Sequence, residues 1–412
     1  MFKAFSHLLL GNGVASFISI ASIPIISRLY DVQDLGAFYL LLSCINMIAI
    51  VLSCRYEQSI VLCRDKRSAS AMNRTCVFLV LLVCTIVFVV TQLMQLVGLE
   101  DATFETIKVH YPVFFIALLS LGISQIYSSQ ILRQNGFNTL RNALVLNAGV
   151  SAVATIGLGM LESSSHNAVY GYLMGSLCSC FYLVREGGKG INGINFSIRK
   201  TCYSLKKYKK FLFVNTPNNF INNFAVLMPI FMLSSFFSSQ QVAFYAMAYK
   251  LIDFPFKLLM ESMRKVYYKY AVDAFAENNL RSIYIATLGK LVVIGGFLSL
   301  FLYFSSELIV EIVLGSQWRD SIVFLNLIVL FKFFQFISSP LASSLIILDR
   351  QELGLVWTSI FLVVRLLLMY WFAYDPIHMI AAYAISGAVF YLTYNLLCYF
   401  MIVKKEDAAQ IY

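Results

Sequence analysis

Charge is what this sequence is short of. Asp, Glu, Lys and Arg make up 13% of its 412 residues, about half the roughly 25% usual in a soluble domain. Hydrophobic residues make up 59%, and the mean hydropathy is +0.76. A chain this apolar cannot stay dissolved in water, which excludes soluble enzymes and binding modules and leaves an integral membrane protein. The alternating ten-residue segments of an outer-membrane barrel are also missing. Long apolar runs recur from end to end instead, as in a helical bundle.

Further absences narrow the chemistry. The net charge is +10, yet no basic globular segment exists to bind a duplex, so nucleic acid is excluded as a partner. The nine cysteines lie in apolar runs or in loops assigned to the cytoplasm, so no disulfide is expected. Cys178 and Cys180 have no neighbouring histidine, and Cys54 and Cys63 have no companions at metal spacing; no metal and no cofactor is expected. His7, His110, His166 and His378 stand isolated in sequence and suggest no acid–base pair. Outside loops near Gly98 to Tyr111 and Ser305 to Asp320 are too short for a polymerase or ligase that must meet two substrates. No small-residue cleavage site follows the first apolar run, which reads as an uncleaved span. Gly187 to Gly193 lacks both a preceding strand and the Lys-Ser/Thr of a phosphate loop, and reads as a flexible linker beside anionic headgroups.

Apolar runs between polar breaks predict helices near 6–26, 36–54, 75–97, 112–132, 142–161 and 168–184, then near 213–237, 240–262, 283–304, 321–348, 353–373 and 377–403. The expected fold is therefore all-α, with twelve transmembrane helices in two six-helix bundles around a central cavity. Residues 1–184 form the N-terminal bundle, 185–212 a basic cytoplasmic linker, and 213–412 the C-terminal bundle with a short cytoplasmic tail. Basic residues outside helices fall on one side except Arg28, Lys108 and Arg319, which places both termini in the cytoplasm. Pro24 followed by Phe38-Tyr39 and Pro229 followed by Phe244-Tyr245 form a weak repeat between the halves, as in parallel-repeat transporters.

Against this apolar background one stretch stands out. Lys250, Asp253, Lys257, Glu261 and Arg264 fall within roughly 60° of one another on a helix. A charge at mid-bilayer costs about 2.5–3.5 kcal/mol on insertion scales, so this stripe either walls a watery transport path or neutralises itself along the helix, Asp253 with Lys257 or Lys257 with Glu261. Lys332 and Arg365 lie near the centres of their helices with no acid within a turn, so they must find partners on other helices or face water. Lys290, near a boundary, is expected to snorkel to headgroups. Asn215, Asn218, Asn219, Asn222 and Asn223 crowd around Thr216-Pro217, with Asn215, Asn219 and Asn222 on one face suited to sugar recognition or to interhelical hydrogen bonds. Pro217 is a candidate kink. Gln125, Tyr127, Gln130, Tyr391, Tyr394 and Asn395 are weaker polar candidates.

The segment Pro24-Ile25-Ile26-Ser27-Arg28-Leu29-Tyr30, then Asp34-Leu35-Gly36-Ala37-Phe38-Tyr39, then Arg55-Tyr56-Glu57-Gln58-Ser59-Ile60-Val61-Leu62, resembles the first hairpin of bacterial polysaccharide-transport proteins. It is similar to the O-antigen flippases of the multidrug, oligosaccharidyl-lipid and polysaccharide exporter superfamily. The likeness is clear over residues 11 to 64 and looser from Pro217 to Val266. It implies a MATE-like flippase fold, a bacterial inner-membrane location, and alternating access that moves an undecaprenyl-pyrophosphate-linked O-unit from the cytoplasmic to the periplasmic leaflet. Membrane lipids, an O-antigen polymerase and a chain-length regulator are the implied partners, and a monomer is expected because each chain holds two bundles.

Arg28, Arg55 and Glu57 match the family motifs, the arginines as gate residues or as interfacial anchors. Lys250, Lys257, Lys332 and Arg365 are candidate pyrophosphate cations, since such a headgroup needs cations and its tail can stay in lipid. Glu57, Asp253 and Glu261 are the carboxylates available for coupling to protons, although an inside-negative potential already favours outward movement of an anion. A multidrug or metabolite cation antiporter of the same fold is the nearest alternative, and it calls for an acid-rich path rather than this cationic one. A polysaccharide polymerase is the enzyme alternative.

Overall fold

A computed structural model of the chain describes residues 13–63, 65–98, 102–188, 205–206, 208–209 and 211–410. Most of the expected basic linker, the start of the first expected helix and His7 lie outside the described residues. Twelve long helices follow in chain order: α1 (Gly13–Leu29), α2 (Val32–Ala49), α3 (Lys66–Val97), α4 (Tyr111–Arg133), α5 (Phe137–Leu161), α6 (Ser165–Gly187), α7 (Thr216–Phe236), α8 (Ser239–Ala276), α9 (Leu280–Phe304), α10 (Ser321–Leu341), α11 (Gln351–Trp371) and α12 (Pro376–Gln410). Among the described residues there is no strand, and nine helices are long and apolar enough to cross a membrane. The other three at expected positions are α1, which is shorter, and α6 and α8, which are more polar.

Local chemistry sets several boundaries. Gly98 ends α3 in the left-handed conformation at φ 71°, where its amide closes the last turn. The Ser164 hydroxyl accepts from the Asn167 amide to cap α6. α3 starts nine residues earlier than the apolar run suggests and α8 runs on to Ala276, because polar turns extend both beyond their apolar stretches. Two connections that the sequence reads as outside loops carry short helices, Ala102–Val109 and Ser306–Val313. Their eight-residue amphipathic pattern is too short to register against the long apolar runs on either side. Pro217 does not kink a helix: it sits in the first turn of α7, where its missing N–H costs nothing, after a π-helical turn at Phe211–Asn215. The proline inside α7 is Pro229.

The chain forms two compact units, Met1–Val242 and Ala243–Tyr412. In the first, α2, α3, α4 and α6 pack around Leu41, Ile45, Leu52, Met72, Phe114 and Leu118, while α7 lies on α2. Tyr30, buried at the turn between α1 and α2, donates to the Thr155 carbonyl on α5 at 2.7 Å. Gly36 lets α2 meet the start of α8 at backbone contact, since a Cβ there would lie 1.8 Å from the Ser239 carbonyl oxygen. The second unit packs α10 against α9 and α12, with α11 on α12. Large apolar side chains stay uncovered along α3, among them Phe78, Leu81, Ile86, Val90 and Leu93. A continuous apolar face of that length fits lipid.

Candidate functional site

In the first unit the site begins where α2 stops. The backbone after Ala49 turns through Cys54 at φ 49° and Arg55 at φ 59°, two consecutive non-glycine residues in the left-handed region. Each costs on the order of 1 kcal/mol, so the surroundings must hold them there. They do: Tyr56 is buried and donates to the Leu205 carbonyl, and Glu57 is buried with its carboxylate accepting a very short hydrogen bond from the Ser53 hydroxyl. The bend aims the Arg55 guanidinium back at that carboxylate, Nη1 to Oε1 3.6 Å, and across to α7, where Nη2 donates to Asn219 Oδ1 at 3.3 Å. Both contacts are long for charge-assisted bonds, and Nε is buried with no hydrogen-bond partner among the described residues. The guanidinium thus has donor capacity to spare.

Asn219 is oriented by its own helix. Its amide donates to the Asn215 carbonyl at 2.8 Å, and Asn223 in turn donates to the Asn219 carbonyl, which leaves Asn219 Oδ1 facing Arg55. Asn222 donates to Asn218 Oδ1 at 3.1 Å, and both are exposed. A half-buried cation therefore adjoins a ladder of amides, suited to an anion that carries hydroxyls.

In the second unit Lys332 on α10 is 2% exposed and reaches α8. Its ammonium donates to Asp253 Oδ1 at 2.6 Å, to the Tyr249 hydroxyl at 3.0 Å and to Gln335 Oε1 at 2.9 Å, so all three N–H bonds are used. Asp253, a member of the charged stripe on α8, pairs with a cation on another helix. From Gln335 the network passes to the Tyr391 hydroxyl on α12, and Asn395 donates to Ser338 while accepting at its carbonyl from Tyr284 on α9. Of the two outcomes open to Lys332, a partner on another helix or a watery cavity, the structure gives the first, and the buried, fully bonded ammonium is not presented as a free cation for a pyrophosphate. Arg365 is 6% exposed, with its guanidinium carbon 4.7 Å from the Tyr383 ring centre, 5.6 Å from Phe331 and 6.0 Å from Phe390. Gly387 leaves it room, and its Nε has no hydrogen-bond partner among the described residues. Aromatic faces stabilise a cation without neutralising it.

The structure therefore joins Arg55, Glu57, Asn219 and Asn215 in one cluster and Asp253 with Lys332 in another. Arg28 is exposed and donates to the Pro24 carbonyl of its own helix. Lys257, Arg264 and Lys290 are exposed, and Lys250 and Glu261 are half-buried. Sequence reasoning missed Ser53, Tyr249 and Gln335. The signal for the last two was spacing: Tyr249 lies four residues before Asp253, and Gln335 three after Lys332, each on the charged residue's face.

The histidines correct the sequence reading, because two of them are not isolated. The rings of His110 and His166 meet edge to face at 4.4 Å, His110 is buried, and Asp34 accepts from the Ser165 amide beside them. Burial and the neighbouring His166 push His110 down to about 4, with Asp34 opposing. A depressed histidine binds its proton in the unfolded chain before it does so in the fold, so stability is lost as pH falls from about 6.5 towards 4. The slope is about 1.4 kcal/mol per pH unit. His110→Gln is expected to flatten this part of the melting-temperature profile; an unchanged slope would remove His110 as its source.

The sequence profile of a family described as polysaccharide biosynthesis protein matches residues 14–323. No curated protein matches the chain in sequence. Among solved structures, the chain is similar to the lipid II flippase MurJ in an inward closed conformation, with a TM-score of 0.76 and 13% identity over 96% of this chain and 87% of that one. It is also similar to an inward-facing multidrug resistance MATE transporter of the MOP superfamily, with a TM-score of 0.74 and 14% identity over 96% and 95%. A third likeness is to a MOP superfamily transporter from Pyrococcus furiosus described as having a binding pocket of reverse polarity, with a TM-score of 0.60 and 16% identity over 98% and 94%. At these identities the likeness carries the fold: all-helical, multi-pass and MATE-like.

Proposed function

Because the chain belongs to the polysaccharide biosynthesis protein family, we propose that it is a flippase moving undecaprenyl-pyrophosphate-linked O-antigen units from the cytoplasmic to the periplasmic leaflet of a bacterial inner membrane by alternating access. The observation that carries this reading is the Arg55 guanidinium beside the α7 amide ladder. A lipid-linked oligosaccharide presents a diphosphate next to a hydrated sugar. A planar cation with unused donors suits the first, and Asn218, Asn219 and Asn222 suit the second. The long polyprenyl tail needs no polar site, since it can remain in lipid.

The second unit carries further cations. Lys250 and Lys257 on α8 add positive charge along one helix face, and Arg365 adds a buried charge packed against aromatic faces. A cation antiporter needs the opposite sign. Asp253 is already committed to Lys332, and loading a proton onto it strands a buried ammonium, so Glu57 and Glu261 are the better coupling candidates. An inside-negative potential contributes roughly 2.3 kcal/mol per charge per 100 mV to outward movement of the anion.

The test is the leaflet distribution of the lipid-linked O-unit in cells lacking the protein and in cells restored with it. The unit is expected to accumulate on the cytoplasmic side without the protein and to reach the periplasmic side with it. Arrival in the periplasm in both cases would make flipping the wrong task and favour the antiporter.

A further inference from the structure

Three oxygen atoms and one aromatic ring around Lys332 describe more than an ion pair. The Tyr249 hydroxyl, one oxygen of Asp253 and the Gln335 amide oxygen surround its nitrogen at 3.0, 2.6 and 2.9 Å, and the Tyr249 ring centre lies 4.3 Å away. We infer that Tyr249, Asp253 and Gln335 form a monovalent-cation site whose resident cation is the protein's own Lys332 ammonium.

The donor set defines the ligand class. All three coordinating atoms are oxygen, which disfavours soft transition metals. They supply one negative charge, which matches one positive charge rather than two. The 2.9 and 3.0 Å distances exceed the roughly 2.0–2.6 Å of hard divalent ions, and the shortest contact, to the carboxylate, is a charge-assisted hydrogen bond from an ammonium. Among the described residues no three of His, Cys, Asp and Glu gather into a metal-binding group, so this site belongs to a different class.

The two partners are unequally buried, and this gives the site a route in. Lys332 is 2% exposed, but the Asp253 side chain is 29% exposed. Shortening Lys332 therefore opens a cage that water and small ions reach past the carboxylate. Gln335 stays oriented by its bond to the Tyr391 hydroxyl, so the cage does not depend on lysine alone for its shape. It follows that the native protein requires no dissolved monovalent cation at this position, whereas a protein with alanine there acquires that requirement.

The experiment compares full-length wild type, Lys332→Ala and Lys332→Met, purified and melted in ammonium, methylammonium, potassium or choline chloride at one ionic strength. Lys332→Ala is expected to melt about 2–4 °C higher in ammonium than in choline, with saturation. Wild type and Lys332→Met, whose thioether fills the cage without charge, are expected to melt alike in both salts. If Lys332→Ala aggregates in choline, it must be recovered intact in ammonium. Equal melting or equal aggregation of Lys332→Ala in the two salts overturns the inference, as does an ammonium shift of the same size in wild type.

Discussion

Asp253→Ala is expected to destabilise the second unit by about 3–5 kcal/mol, because it leaves the ammonium of Lys332 buried and without a counter-charge. Tyr249 and Gln335 still accept from it, but neither carries charge, and Lys332 is 2% exposed with no room for full hydration. The reverse change is milder, since Asp253 without Lys332 can turn its partly exposed carboxylate to water. Asp253→Ala combined with Lys332→Met therefore recovers most of the loss. Melting of the purified single and double variants checks this, and a single variant within a degree of wild type would mean that the pair holds nothing together.

The second large effect is on transport. Arg55→Ala removes the guanidinium beside the asparagine ladder, and loss of charge-assisted bonds worth about 1.5–3 kcal/mol lowers flipping roughly 10- to 100-fold. Arg55→Lys keeps the charge but loses the planar fork, and falls between. Backbone strain is separated from charge at the same position. Arg55 sits at φ 59°, which glycine adopts without penalty, so Arg55→Gly is expected to be the more stable of the two truncations while transporting as poorly as Arg55→Ala. If Arg55→Gly transports normally, the arginine serves the turn and not the substrate.

Hydrophobic runs announced the helices because a span of apolar residues has few structures open to it in a bilayer. The ends were less legible. α3 and α8 extend into polar sequence, and Ala102–Val109 is helical in a stretch that hydropathy reads as a loop. That Lys332 would either pair beyond its own helix or face water was readable, since a buried ammonium cannot go unpaired, but no rule of spacing on one helix chooses between the two or names a residue on another. Asp253 was visible as a charge and became a partner only through packing of α8 on α10. His110 and His166 are 56 residues apart in sequence and touch because α4 and α6 start side by side. The turn at Cys54 and Arg55 carries no glycine to mark it, so the bend that aims the guanidinium at α7 could not be foreseen.

Purified protein in sealed vesicles tests the central claim most directly. A polyprenyl-pyrophosphate oligosaccharide with a labelled sugar is placed in one leaflet, and its accessibility to an impermeant reagent is followed with and without a membrane potential. Protein-containing vesicles should move the label across far faster than protein-free ones, faster still with a potential that draws the anion across, and at rates reduced in Arg55→Ala. Identical rates with and without the protein would contradict the account.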